Sequence, residues 1–151
     1  ELDDLGLGAA ITQYSNKFSA DHALKLTLQI SGEEENVDGQ IAVALYRIIQ
    51  EGFSNIAQHS GATLVNLRID FCPKEVTVTL ADNGKGISNY DLLQAKKKRR
   101  LGLYGMQERV ELLQGKMSIR DSAYGGAELY IVIPLISTLS KTDRKETNHE
   151  K

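Results

Sequence analysis

The chain has 151 residues, a formal net charge of −2 and a pI near 5.9, with 41% hydrophobic and 25% charged residues. This is the composition of a globular domain with a sizeable core, and it argues against a general nucleic-acid binder, which would be strongly basic. The single cysteine, Cys72, excludes an internal disulfide and is compatible with a reducing compartment, and no apolar run approaches the roughly 18–20 residues of a membrane helix.

The first ten residues, ELDDLGLGAA, lack the basic start of a signal peptide. Because the chain does not begin with methionine, we expect it to be a fragment of a larger protein.

The first half of the chain predicts two helices around one strand. Residues 5–18 carry apolar side chains at helical spacing, and residues 23–30 alternate as in a half-buried strand. Residues 31–39 are polar and contain glycine, which is typical of a loop. The period becomes helical again over 40–58, where one face carries Ile41, Leu45, Ile48, Gly52 and Ile56.

The next stretch predicts an antiparallel hairpin. Residues 63–71 and 75–82 both alternate between apolar and polar side chains, and Pro73 and Lys74 lie between them as a turn. Residues 83–100 then combine glycine, polar and basic side chains, and we expect this segment to be mobile.

The last part predicts a helix followed by a second hairpin. Residues 102–115 have helical spacing, with Gly115 placed as a C-terminal stop and an apolar side formed by Met106, Val110 and Leu113. Residues 116–122 and 127–135 form the hairpin around AYGGA.

The resulting order is α-β-α-β-β-α-β-β. It predicts an α+β fold, a two-layer sandwich of about three helices on one face of a mixed, mostly antiparallel five-stranded sheet. We expect one domain over residues 1–136 and a disordered, apolar-poor tail over 137–151.

Three polar residues follow one border of the helix predicted over 40–58. Glu51, Asn55 and His59 are four residues apart, and Asn55 falls within the apolar stripe. A polar group buried without a partner costs roughly 1–3 kcal/mol, so each should find a partner in the protein or in a ligand. Capping of the last backbone carbonyls by Asn55 and His59 is an equally good explanation from the residues alone.

The segment LADNGKGIS (80–88) places Asp82 beside two glycines. Glycines this close suggest a backbone pressed against a ligand, although the phosphate-loop pattern GxxxxGK[ST] is absent. Taken alone, DNG after a strand is an ordinary turn whose Asp accepts backbone N–H bonds. Taken alone, Gly102 and Gly105 are an ordinary helix boundary, and KKKRR (96–100) is a solvated surface run.

Four segments that occur in series favour a functional explanation over these ordinary structural ones. They are RIIQEGFSNIAQHSGA (47–62), ADNGKGI (81–87), LGLYGMQERVELLQGKM (101–117) and GGAELYIVIPL (125–135). In this order they resemble the catalytic, ATP-binding domain of bacterial sensor histidine kinases. That domain belongs to the ATPase superfamily containing DNA gyrase, a heat-shock chaperone and a mismatch-repair protein. The likeness is closest to the nitrate-sensor and desaturase-sensor branch, with helical motifs E-x-x-x-N-x-x-x-H and G-L-x-G-M-x-E-R. It spans roughly residues 2–135 and implies a Bergerat-type ATP-binding fold.

The resemblance also covers the start of the chain. LDDLGL (2–7) is similar to the junction that joins the dimerisation helices of that branch to its ATPase domain. Residues 1–8 are therefore expected to be a junction to a dimerisation and phosphoacceptor domain outside this chain.

The resemblance implies a role for the segment around Asp82 in binding the base of ATP. Asp82 would accept a hydrogen bond from the adenine amino group, and Gly84 and Gly86 would let the chain pass close to the purine. Lys85 and Ile87 complete this motif and are expected to contact ATP as well.

The polar border of the second helix would face the phosphates. Asn55 would ligate Mg²⁺ through its amide oxygen, which suits a hard cation. Glu51 would orient a metal-bound water or polarise the reacting group, and His59 would lie near the phosphates. ATP and Mg²⁺ are thus the implied cofactors, and Glu51 and Asn55 the implied catalytic residues.

The third motif would bind the triphosphate at a helix start. Gly102 and Gly105 would present backbone N–H groups to it, an arrangement that favours anions. The other ATP-contacting members of this motif are expected to be Leu103, Tyr104 and Met106. Lys96 to Arg100 lie in the lid position, and at least one of them is expected to contact phosphate. Glu108 and Arg109 are expected to tie the helix to the fold.

Two residues depart from the family pattern. The branch usually has glycine where this chain has Arg100, so the lid hinge would be stiffer or Arg100 would bind phosphate. The last motif usually reads GT, but here Gly126 is followed by Ala127. The missing hydroxyl removes one neutral hydrogen bond near the adenine, worth about 0.5–1.5 kcal/mol.

The function implied is transfer of the γ-phosphate of ATP to a histidine in the separate dimerisation domain. None of His22, His59 and His149 matches the acceptor, so we expect the isolated chain not to phosphorylate itself. The expected partners are the upstream helices of the same protein and a response regulator, with no nucleic acid. The full-length protein is expected to be a homodimer and this fragment a monomer. The location implied is the cytoplasm, compatible with a membrane anchor elsewhere in the protein.

Two alternatives remain open on sequence alone. An anti-sigma-type serine kinase shares the fold and the ATP motifs, although LDDLGL argues against it. A nucleotide-free docking module of the same fold is favoured only by Arg100 and Ala127.

Overall fold

The computed structural model of the protein describes residues 6–86 and 101–135, which form a helical layer packed on a sheet. The helices are α1 (Leu7–His22), α2 (Gly39–Asn55) and α3 (Leu101–Leu112), and the strands are β1 (Lys25–Gly32), β2 (Leu64–Phe71), β3 (Glu75–Asp82), β4 (Lys116–Asp121) and β5 (Ala127–Pro134). A short 3₁₀ turn (Glu34–Asn36) precedes α2, and a π-helical turn (Ile56–Ser60) follows it.

The five strands form one sheet in the order β1-β2-β3-β5-β4. β1 runs parallel to β2, which requires the long crossover that α2 provides, and the other three pairings are antiparallel. Both predicted hairpins, β2–β3 and β4–β5, are present. The predicted α+β sandwich with a mixed, mostly antiparallel sheet is therefore confirmed.

The core lies between the sheet and the helices. Alternate residues of the central strands point to the helices and are buried, which is the period-2 pattern of a sheet covered on one face. The largest fully buried side chains come from both layers: Ile11, Leu45, Ile48, Phe53, Val65, Leu67, Ile69, Val76, Met106, Ile131, Ile133 and Leu135.

The connection between β1 and α2 fixes the starts of two helices. Asp38 is the N-cap of α2 and accepts a hydrogen bond from the Ile41 backbone N–H at 3.0 Å. α1 begins after Gly6, which offers no side chain, and the Glu34 carboxylate accepts from the Gly8 N–H at 3.0 Å instead. A Cβ on Gly6 would lie 2.7 Å from Glu34 Oε1, so glycine there leaves room for the carboxylate.

Edge strand β1 is tied to β2 by a cluster around Asp70. The Ser31 hydroxyl donates to Asp70, and the Arg68 guanidinium lies 3.1 Å from the same carboxylate. The hydrogen bond from Ser31, with the charge of Arg68, lowers the pKa of Asp70. Its contribution to stability is therefore present above the ordinary aspartate pKa and is lost as the pH falls through the lowered value.

Several predicted boundaries differ from the structure. The first helix runs to His22 rather than residue 18, and the helix predicted over 40–58 changes to a π turn after Asn55. Residues 87–100 of the segment expected to be mobile, and the tail from 137, lie outside the described residues.

The end of α3 corrects the role predicted for Gly115. The helix ends at Leu112, and Gln114 takes the left-handed conformation with a φ of 64°. The Gln114 N–H bonds to the Glu111 carbonyl, and the Gly115 N–H bonds to the Val110 carbonyl at 2.9 Å. This is a Schellman ending with a non-glycine residue at its strained position. Gly115 serves packing instead, because a Cβ there would lie 2.5 Å from the Val132 carbonyl oxygen.

We expect Gln114→Gly to raise the free energy of unfolding by about 1 kcal/mol, since left-handed backbone costs an L residue roughly 1–2 kcal/mol. The matched control is Gln13→Gly on the exposed surface of α1, which should lower it by about 0.5–1 kcal/mol. Denaturant unfolding measures both variants. A loss of stability in both would contradict the strain assigned to Gln114.

Candidate functional site

Asp82 is a buried carboxylate at the end of the central strand β3, and it is 4% exposed. Its Oδ1 accepts from the Gly84 N–H at 2.8 Å and, over a longer 3.4 Å, from the Ala127 N–H at the start of β5. Both hydrogen bonds therefore use the same carboxylate oxygen of Asp82. The turn role considered for Asp82 is thus present, but it engages Oδ1, so a second function through the other oxygen is compatible with it.

Gly126 makes this arrangement possible, although it was not among the residues predicted to form the site. A Cβ on Gly126 would lie 2.2 Å from Asp82 Oδ1, 2.5 Å from the Asp82 carbonyl oxygen and 2.6 Å from the Gly84 nitrogen. Any side chain at this position would displace the carboxylate or its turn. The signal available in the sequence was the glycine directly before the last strand, in GGAELYIVIPL.

The turn after Asp82 packs against the end of the second helix. The Lys85 N–H donates to the Ser60 carbonyl oxygen at 3.0 Å, and a Cβ on Gly84 would lie 2.3 Å from that oxygen. Gly86 has a φ of 80°, which favours glycine. Contacts within the chain therefore account for part of the glycine spacing, and contact of Gly84 and Gly86 with a purine stays a prediction.

Asn83 anchors the same turn on the other side. Its Oδ1 accepts from the backbone N–H groups of Thr63 and Leu64, each at 2.9 Å. The turn is thus held against the starts of β2 and β5 and the π turn at once, which fixes the position of Asp82.

Glu51 and Asn55 lie one turn apart near the end of α2, and both are half-buried. Glu51 Oε1 accepts from Arg109 Nε at 2.9 Å. In the described part of the chain, Glu51 Oε2 and Asn55 Nδ2 are buried without a hydrogen-bond partner. Because Asn55 Nδ2 donates to no acceptor in the described residues, it does not bond the last backbone carbonyls of the helix, and the capping explanation is not supported for Asn55. The backbone of His59 lies in that π turn.

The start of α3 faces Glu51. Gly102 lies in its first turn, and a Cβ on Gly105 would lie 3.9 Å from Glu51 Oε2. Tyr104 is 37% exposed, whereas Met106 is fully buried, so that any nucleotide contact of Met106 would involve its backbone.

The predicted residues thus converge on the C-terminal part of α2. Ser60, in the π turn, binds the turn that follows Asp82, and Glu51 binds α3 through Arg109. Arg109 therefore joins two helices, as expected for it. Leu103 packs partly buried against the core, and Ala127 is buried and supports Asp82 through its backbone. Ile87 and the lid residues Lys96 to Arg100 lie outside the described residues.

A separate groove of about 480 Å³ lies between α1 and α2 and contains none of the predicted site residues. Burial, together with the neighbouring Tyr46, raises the pKa of its Tyr14 phenol. Its remaining lining residues are Gln13, Lys17, Phe18, Asp21 and His22. The candidate site is therefore assigned to the end of α2 and the turn after Asp82, where the predicted residues meet, and not to this cavity.

Across residues 6–86 and 101–135, none of the helices has the length and hydropathy needed to span a membrane.

Comparison with known proteins adds evidence to the geometry of the site. The chain is similar to the signal transduction histidine-protein kinase/phosphatase DegS of Bacillus subtilis (strain 168), with 37% identity over 142 residues and 89% of this chain. It is 33% identical over 134 residues to DegS of Brevibacillus brevis, again over 89% of this chain. The chain spans about a third of the length of these curated relatives, 35% and 34% respectively.

A solved structure shares the fold. The ATP binding domain of PrrB from Mycobacterium tuberculosis superposes with a TM-score of 0.60 at 25% identity, covering 82% of this chain and 93% of that domain. The profile of the family described as histidine kinase-, DNA gyrase B-, and HSP90-like ATPase matches residues 40–137, which is more than half of the chain. The chain therefore belongs to this ATPase family.

Proposed function

We propose that the chain is the ATP-binding catalytic domain of a sensor histidine kinase, which binds Mg-ATP and supplies its γ-phosphate to a histidine in a separate domain. The observation that carries this proposal is the buried Asp82 carboxylate, held at the end of β3 by backbone N–H groups in a chain of an ATPase family. The DegS relatives, named histidine-protein kinases, support the kinase part.

Asp82 is suited to recognise the base. Oδ1 is held by Gly84 and Ala127, which fixes the direction of the carboxylate before any ligand binds. Oδ2 would then accept a hydrogen bond from the adenine amino group. Ala127 lacks the usual hydroxyl, but its contribution to Asp82 comes from the backbone N–H and does not depend on its side chain.

Glu51 and Asn55 are suited to the phosphate end. The buried, unpartnered Oε2 of Glu51 lies one turn from the Asn55 amide, and carboxylate and amide oxygens are ligands that Mg²⁺ accepts. Among the described residues no cluster of three acidic, histidine or cysteine side chains forms a metal cage. This fits Mg²⁺ at a nucleotide, because it usually takes one or two protein ligands and the rest from phosphates and water. Bound Mg²⁺ would offset the negative charge of the phosphates.

The first turn of α3 would bind the phosphates through its backbone. Gly102 and Gly105 lie at the N-terminal end of the helix, where unpaired N–H groups and the helix dipole favour anions. Glu51, which faces Gly105, would orient the reacting group. The base and the phosphates would then be recognised on two sides of α2.

The proposals about the full-length protein and its partners follow from the same function. The acceptor histidine would lie in dimerisation helices outside this chain, in a protein that is a homodimer and whose catalytic part is cytoplasmic. A response regulator would receive the phosphate. The serine-kinase alternative is less well supported, because the two curated relatives are named histidine kinases. The nucleotide-free alternative is less well supported because Glu51 and Asn55 keep unpartnered buried polar atoms.

We expect Asp82→Asn to weaken ATP binding by about 10- to 100-fold, since a hydrogen bond to a charged group is worth roughly 1.5–3 kcal/mol. Asparagine keeps an oxygen for the Gly84 and Ala127 N–H groups, so the melting temperature without ATP should stay close to that of the parent. Isothermal titration calorimetry measures the affinity, with Asp21→Asn on the exposed surface of α1 as the control. Equal affinities in both variants and the parent would remove Asp82 from the site.

We expect Gly126→Ala to lower the free energy of unfolding by roughly 1–3 kcal/mol, because its Cβ would overlap Asp82. ATP affinity should fall with it, because the carboxylate moves. The matched control is Gly39→Ala, where a Cβ meets no atom within 4 Å. Thermal melts with and without ATP test both variants, and an unaltered ATP-induced shift in Gly126→Ala would contradict the assignment.

Phosphoryl transfer is tested with γ-labelled ATP and the longer protein that carries the proposed histidine domain. We expect acid-labile label on that domain and none on the isolated chain. Acid-stable label would indicate a serine acceptor and would overturn the histidine-kinase proposal. Acid-labile label on the isolated chain would show that the acceptor lies within it.

A further inference from the structure

The contact between Arg109 and Glu51 gives the two oxygens of the Glu51 carboxylate different surroundings. Arg109 Nε lies 2.9 Å from Oε1, while Oε2 is buried and has no hydrogen-bond partner among the described residues. The Glu51 side chain is 29% exposed and the Arg109 side chain 43% exposed. At this exposure the pair adds little stability, so its consequence is mainly one of orientation.

Gly105 of the opposing helix faces Oε2 and has no side chain. A Cβ at this position would lie 3.9 Å from the oxygen, in ordinary van der Waals contact with it. A buried oxygen without a hydrogen bond is costly, so Oε2 is expected to accept one from a bound ligand. Asn55 presents a second buried group without a partner one turn away on α2.

From this geometry we propose that Arg109 is a positioning residue, which holds Oε1 so that Oε2 is the oxygen presented to the reacting group. The proposal rests on the function proposed above, in which Glu51 acts at the γ-phosphate. Arg109 itself acts through Glu51 and does not contact ATP.

The placement of Arg109 on α3 gives the contact a further consequence. The same helix carries Gly102 and Gly105 in its first turns and Arg109 one turn further on, roughly 6 Å along the axis at 1.5 Å per residue. A displacement of α3 would therefore change the phosphate-facing backbone and the orientation of Glu51 together. The catalytic carboxylate would be set correctly only when this helix is in place.

The test compares variants of the longer protein that carries the histidine domain, using labelled ATP for the transfer rate and calorimetry for ATP affinity. Arg109→Gln should slow transfer about 10-fold, as expected for a misplaced reacting group, with ATP affinity within about twofold of the parent. Arg109→Lys keeps a cation for Oε1 and should restore part of the rate. The control is Arg68→Gln, which breaks another exposed ion pair, between Arg68 and Asp70, on the sheet face opposite the helices.

A double-variant cycle separates positioning from a purely structural role. If Arg109 acts through Glu51, Arg109→Gln should have no further effect on transfer in the Glu51→Gln background. Multiplicative effects, or an equal loss of ATP affinity, would overturn the positioning role. A normal rate in Arg109→Gln would overturn it while leaving the proposed function intact, whereas absence of transfer by the parent protein would overturn both. Should Arg109→Gln fail to fold, an Arg109→Lys variant as slow as Glu51→Gln would contradict the proposal.

Discussion

The site depends on one close contact, where the start of β5 meets the end of β3. Asp82 can be buried there only because the Gly84 and Ala127 N–H groups supply hydrogen bonds and because Gly126 has no side chain. A carboxylate buried without such partners would be strongly unfavourable. The two central strands therefore position the carboxylate, and the proposed base recognition depends on their register.

A second, weaker constraint joins the two helices proposed to face the phosphates. Arg109 and Glu51 are half-exposed, so their ion pair adds little to the stability of the domain. It does fix which oxygen of Glu51 faces Gly105. The proposed base end is thus held by buried backbone contacts, and the proposed phosphate end by a partly exposed ion pair.

The sequence predicted the element order and both hairpins, because burial alternates along β2 and β5, and along β3 as far as Leu80, with one face of the sheet covered. It missed the partners that come from distant parts of the chain. The contact between Gly126 and Asp82, 44 positions earlier, and the cap that Glu34 provides for α1 leave no local pattern. Gly115 was predicted as the C-terminal stop of α3, whereas Gln114 takes the left-handed conformation there, because glycine serves both turns and close packing and its spacing does not distinguish them.

The chemistry of these contacts explains how the arrangement tolerates sequence change. Around Asp82 the donors are main-chain N–H groups, at Gly84 and Ala127, and Lys85 likewise binds Ser60 through its backbone. Such contacts demand small residues at Gly84 and Gly126 but no particular side chain at Ala127 or Lys85. The replacement of the usual threonine by Ala127 therefore removes one hydroxyl and leaves the support of the carboxylate intact.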